Sequence, residues 1–267
     1  MTDESVLGTK SRILDLFSDL NEADLQNIES WISSQSYKKD LEIKKSLQKK
    51  EKQLSKIANS LKKIVPFIAE MPSEVIIPPI VGDQADCTKE NTCHVDEFLY
   101  DDQEVDKLVK SGKLSRFYCT DCMSRGINAY YLSNASSIVG VEMNKDFCEI
   151  QEKTLKKFSM DPNKIKIVNS DILERCDIVQ NSNIIIINVL DFFVDTEKHK
   201  EMWYFFKKYI KKGSYLVSNR SMDETLSALQ MSEDMMEWLT ICKPNQLEHE
   251  IFFDVEDYSE LFLYTVN

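Results

Sequence analysis

No stretch of this chain holds the roughly 18 apolar residues that a membrane span requires, and its start, MTDESVLGTK, has no apolar core behind basic residues. The expectation is a soluble protein of the cytoplasm or nucleus with no membrane partner. Positive charge is also scarce: 33 Lys and Arg stand against 45 Asp and Glu, a formal charge of -12. Nonspecific grip on a phosphate backbone relies on clustered Lys and Arg, so nucleic acid is not the expected partner. Cysteines number seven. An odd count without a secretion signal argues for thiols or metal ligands over a disulfide framework. The fragment SGKLS at 111–115 lacks the upstream glycine of a phosphate-binding loop.

What is present suffices for a substantial core, with 42% of residues hydrophobic and 10% aromatic. Residues 1–66 read as a helical arm: an apolar periodic stretch from Ile13 to Ile32, then a lysine-rich one from Lys38 to Ile64. In the second, Ile43, Leu47, Leu54, Ile57, Leu61 and Ile64 fall on one stripe. Ten lysines there oppose only Asp40, Glu42 and Glu51, so charge is polarised along the chain. Such a helix packs on its own domain, forms a short coiled coil, or serves as a docking arm for an acidic protein partner or RNA. Residues 67–83 read as a linker, because Pro78 and Pro79 interrupt an apolar run that would otherwise suit a strand.

Residues 84–125 are polar and rich in cysteine. Cys87, Cys93, His94, Cys119 and Cys122 place five soft ligands in a short span, and Cys119-x-x-Cys122 is a knuckle whose two thiolates can share one tetrahedral Zn²⁺. Adjacent Cys93 and His94 rarely ligate one ion together, so four of the five are expected, either four thiolates or three with the imidazole. A filled set leaves no place for an activating water and makes the site structural. Unliganded thiols and a redox pair at Cys119 and Cys122 are the competing readings.

Residues 126–267 alternate short β-branched runs with helical ones: SIVGVEM, NKDFCEIQEKTLKKFSM, KIKIV, NIIIINVL, TEKHKEMWYFFKKYIKKG and SYLVS. This is the pattern of βαβ units and a parallel sheet. Four consecutive isoleucines, Ile184 to Ile187, predict a strand buried on both faces. Trp203, Tyr204, Phe205 and Phe206 predict core. Glu237–Ile241 and Leu261–Val266 predict a closing antiparallel pair. Ligands of open α/β sheets sit at the carboxyl ends of strands. There Glu142, with Met143 beside it, follows one strand and precedes Asn144 at a helix N-cap, where a carboxylate can accept both hydroxyls of a ribose. Asp171 and Ile172 follow the next strand, and Asn188 and Asp191 the one after. At each of these positions an ordinary helix cap or surface group is the competing reading.

This set of positions resembles the class I S-adenosylmethionine-dependent methyltransferases, over about half of the chain. The resemblance implies a Rossmann-like sheet with Glu142 on the ribose of S-adenosylmethionine, Asp171 and Ile172 at the adenine, and Asn188 and Asp191 toward the methionine end or the acceptor. The Cys-rich run ahead of it is similar to a eukaryotic family of that architecture, with structural zinc as second cofactor. One landmark is absent. Only Met123, Ser124 and Arg125 separate Cys122 from Gly126, where the family has its first strand and glycine-rich turn. A missing exon, a degenerate relative that no longer binds cofactor, and a loop supplied from elsewhere all account for the gap. Losing a strand from the middle of a sheet exposes two edges or demands a substitute.

Overall fold

A computed structural model describes residues 3–65, 91–96, 99–119, 130–131, 133–187, 194–231, 234–242 and 261–267. The chain divides into two compact units, Met1–Lys52 and Gln53–Asn267.

The first unit is helical. Helix α1 spans Asp3–Ser18 and α2 spans Glu22–Ser33, the latter capped by the Asn21 side chain, which accepts the Asp24 N–H at 3.0 Å. A tight turn with Gln35 in the left-handed region (φ 60°) leads into α3, Tyr37–Leu61. Trp31 packs edge-on against Tyr37 and donates its indole N–H to Asp40 at 2.6 Å, which fixes that turn. The apolar stripe of α3 splits along its length. Ile43 is exposed, while Ile57, Ala58 and Leu61, in the second unit, are buried against Leu99, Met160 and Ile165. The far end of α3 is therefore a domain-packing helix, and Lys62 fastens it by donating to both oxygens of Glu104 at 2.6 Å.

In the second unit, the two-residue strand β1, Cys93–His94, lies parallel to β2, Tyr118–Cys119. Between them stands α4, Asp102–Lys110, opened by a capping box between Asp101 and Glu104. Val95, Val105 and Leu114 form a small core there.

The α/β part follows the predicted alternation. Strand β3 (Ile138–Glu142) leads through α5 (Lys145–Lys157) to β4 (Ile165–Asn169), paired in parallel from Ile138↔Ile165 to Glu142↔Asn169. A 3₁₀ turn (Ile172–Glu174) and α6 (Cys176–Asn181) lead to β5 (Ile184–Ile187). Helix α7 (Thr196–Tyr209) then returns to β6 (Tyr215–Ser218), parallel to β5. Gly213, at φ 80°, supplies the left-handed turn into β6. Helices α8 (Met222–Ala228) and α9 (Asp234–Glu237) precede β7 (Leu239–Ile241), and β8 (Phe262–Val266) runs antiparallel between β6 and β7. The orders are β4-β3 and β5-β6-β8-β7. Among the described residues nothing pairs with the second edge of β3 or of β5, so the described strands of the α/β part fall into two pieces of sheet.

Two core expectations need correction. The four isoleucines of β5 are not buried on both faces: Ile184 and Ile186 are 59% and 65% exposed, while Ile185 and Ile187 face the main core. Successive strand residues point to opposite faces. The helices that contribute to this core, α7 with Met202, Trp203 and Phe206 and α8 with Met222 and Leu226, lie on the Ile185 and Ile187 side only. Of the aromatic set on α7, Trp203 and Phe206 are buried and Phe205 packs at the margin, but Tyr204 is half exposed, its position falling outside the buried stripe of the helix.

Candidate cofactor site

Glu142 is the last residue of β3, its Cα opposite Asn169 of β4. Its Oε1 accepts the Asn144 N–H at 2.7 Å, and Asn144 in turn caps α5 by accepting the Asp146 N–H at 2.9 Å. The carboxylate is thereby held over the start of a helix at the carboxyl end of a parallel pair. The strand end is also pinned from behind. Asn169 donates its side-chain amide to the carbonyls of Glu142 and Met143 at 3.0 and 2.8 Å, and the Ser170 N–H adds a bond to Glu142 O at 3.1 Å. Nothing in the sequence singles out Asn169, the last residue of β4, because its role depends on the β3–β4 register. Met143 is exposed. Below the strand end, the Cys148 thiol donates to Glu142 O at 3.4 Å. Burial, then the charge of Glu142, push its pKa up, which favours the neutral thiol.

Asp171 stands one turn beyond β4. One oxygen accepts the Leu173 N–H at 3.0 Å and caps the 3₁₀ turn; the other receives Lys198 Nζ, from the first turn of α7, at 2.5 Å. Burial raises the Asp171 pKa, but the hydrogen bonds from Lys198 and Leu173 outweigh it and hold the carboxyl below its usual range. The same bond raises the pKa of Lys198. Ile172 and Leu173 pack against the main core. The segment after β4 therefore joins the two pieces of sheet, by apolar contact and by an ion pair.

At the Glu142 end, a carboxylate at a strand terminus has one oxygen engaged by a backbone amide. An adenine amino group at Asp171 would share a carboxylate that the chain itself already binds twice. Asn188 and Asp191 lie outside the described residues, as do Cys87 and Cys122. Of the other metal candidates, His94 stands directly opposite Cys119 in the β1–β2 register, and Cys93 is half-buried beside them. Among the described residues no group of three or more His, Cys, Asp and Glu comes together to hold a metal, and none of the described helices is long and apolar enough to cross a membrane.

The strand orders β4-β3 and β5-β6-β8-β7, with antiparallel β8 and an acidic residue closing β3, describe a mixed α/β scaffold. Several solved structures are similar to this chain. They include a putative O-methyltransferase from Klebsiella pneumoniae, at 13% identity and TM-score 0.33, covering 52% of this chain and 66% of that one. A methyltransferase from Geobacter sulfurreducens aligns at 14% identity and TM-score 0.33, over 52% and 63%. The O-methyltransferase from Bacillus cereus in complex with SAH aligns at 12% and 0.32, over 52% and 66%. This chain thus spans slightly less than two thirds of each. No family model matches the chain, and no curated protein matches it.

Proposed function

We propose that the α/β part of this chain binds S-adenosylmethionine as a methyltransferase or as a relative descended from one, with Glu142 taking the ribose hydroxyls. Asp171 and Ile172 take the adenine side, and Asn188 and Asp191 the methionine end or the acceptor. The observation that carries this reading is the Glu142 carboxylate at the carboxyl end of the β3–β4 pair, oriented by Asn144 and braced through Asn169. When bound, the cofactor supplies an electrophilic methyl group; the chain's own contribution is to hold and orient it. Calorimetric titration of the full chain with S-adenosylmethionine tests the reading. Binding is expected for the native chain, and Glu142→Ala is expected to weaken it by about tenfold or more, as the loss of a charged hydrogen bond of roughly 1.5–3 kcal/mol implies. No binding at millimolar cofactor would end this reading.

A second reading, a zinc-stapled interaction module on the same scaffold, is favoured by one observation. The parallel pairing of β1 with β2 sets His94 opposite Cys119, and so joins the two halves of a ligand set separated by a helix. We propose that Zn²⁺ closes this segment through four of Cys87, Cys93, His94, Cys119 and Cys122. A short segment with so small a core gains its order from such a staple. Metal analysis of the purified chain is expected to give close to one zinc per chain, falling well below that in Cys119→Ser. A metal-free native chain purified without chelator would exclude it.

A further inference from the structure

We propose that the helical arm is a dimerisation element, in which the acidic first two helices of one chain cover the basic third helix of a second copy. On α1, Val6 and Ile13, and Leu7 and Leu14, recur at heptad spacing; α2 closes on Trp31 and Ile32. All six are exposed, Leu7 and Leu14 by 64% and 67%, and no described residue between Val6 and Lys52 is buried. Helices of 16 and 12 residues are marginal in water unless an apolar face is covered. The Trp31–Asp40 bond and the Trp31–Tyr37 contact already join α2 to α3 within one chain, and they leave these stripes open.

Charge selects the partner. Residues 3–34 carry seven acidic side chains against Lys10 and Arg12, whereas α3 carries eight lysines against Asp40, Glu42 and Glu51. An acidic protein or a phosphate backbone would suit α3 and repel α1 and α2; a basic partner would do the reverse. A second copy suits both at once, because a two-fold axis sets each acidic pair of helices against the other chain's lysines. Ile43, near the start of α3, is exposed as well and extends the apolar surface to that helix.

Sedimentation of the full chain, 31.0 kDa as a monomer, reads this directly. At micromolar concentration and low salt a dimer is expected, weakening as salt screens the pairing. Leu14→Asp combined with Ile43→Asp is expected to give a monomer. Reversal of Lys44, Lys45 and Lys49 to Glu is expected to raise the dimer dissociation constant by about tenfold or more. Mixing that variant with one carrying Glu22→Lys, Asp24→Lys and Glu29→Lys restores a dimer made of one of each. The mixed pairing decides the matter even where Leu14→Asp merely unfolds the arm. A monomeric native chain, a dimer indifferent to all these changes, or charge-reversed variants that fail to pair with each other would overturn the proposal.

Discussion

Trp203→Ala lowers the unfolding free energy of the α/β part by roughly 3–5 kcal/mol, measured as a loss of denaturant midpoint at unchanged slope. Trp203 is 2% exposed and sits between His199 and Phe206 in the core shared by α7, α8 and β5 to β8. Its removal deletes one of the two buried tryptophans of that core, and the surrounding side chains fill such a hole only in part. Trp203→Phe is expected to behave differently. The indole N–H of Trp203 is buried with no hydrogen-bond partner among the described residues, and an unsatisfied donor is a standing cost of about 1–3 kcal/mol. Phenylalanine sheds that cost while losing some contact, so the net change is expected within about 1 kcal/mol of zero. A Trp203→Phe chain as unstable as Trp203→Ala would show that the indole N–H does have a partner and that it matters.

The large elements were legible because their periodicity is local. SIVGVEM, KIKIV and SYLVS became β3, β4 and β6, and LFLYTV became β8, each within a residue or two; of NIIIINVL, Ile184–Ile187 became β5 and the last three residues lie outside the described ones. The closing antiparallel arrangement was legible from the change of pattern after Ser218. What failed was the reading of burial from composition alone. Four isoleucines in a row carry no period, so nothing in them distinguishes a strand covered on two faces from one covered on one; the helices elsewhere in the chain decide it. Helix α8 was not anticipated, yet it supplies Met222 and Leu226 to the core, with Leu229 just beyond it. Its signal was present: Ser221, whose side chain accepts the Glu224 N–H at 3.1 Å, with Glu224 itself at the third position, the spacing of a helix N-terminus. The arm was readable as helix and its charge as polarised, but α1 and α2, separated at Asn21, read as one stretch because a single capping residue interrupts the apolar pattern only briefly.

At the site, the strand-end positions of Glu142 and Asp171 were readable, whereas their partners were not. Lys198 lies 27 residues from Asp171 in sequence, on a helix whose lysines look interchangeable until the fold turns one of them inward. Asn169 likewise gains meaning only from the β3–β4 register, which places it against the Glu142 carbonyl. Sequence shows which residues occupy the mouth of a sheet; cross-strand geometry shows which of them are already spoken for.

Separating Asp171 from Lys198 is the second large effect to be expected. Asp171→Ala removes both the cap on the 3₁₀ turn and the ion pair, and is expected to cost about 2 kcal/mol, of which roughly half belongs to the cap. Lys198→Met removes only the pair, for about 1 kcal/mol or less, because the Lys198 side chain keeps a third of its exposure and solvent screens the attraction. The double variant is then expected to be less destabilised than the sum, by a coupling of about 1 kcal/mol. The sign of the pH dependence follows from the two pKa directions. The Asp171 value is depressed in the folded chain, so its stabilisation is complete above the ordinary carboxylate range and disappears as pH falls through the depressed value. The Lys198 value is raised, so its share is complete below the ordinary lysine range and is lost only as pH climbs through the raised value. Between those limits the coupling is flat, and on acidification it vanishes. Because Ile172 and Leu173 sit in the core beside β5 while Asp171 follows directly from β4, the pair also ties together two pieces of sheet that share no described strand. Amide exchange in Asp171→Ala is therefore expected to rise first at Leu173 and along β4, ahead of β6 and β8. Uniform exchange across all strands, or a coupling that persists at acid pH, would mean that the pair is ornamental and that the pieces are joined by something else.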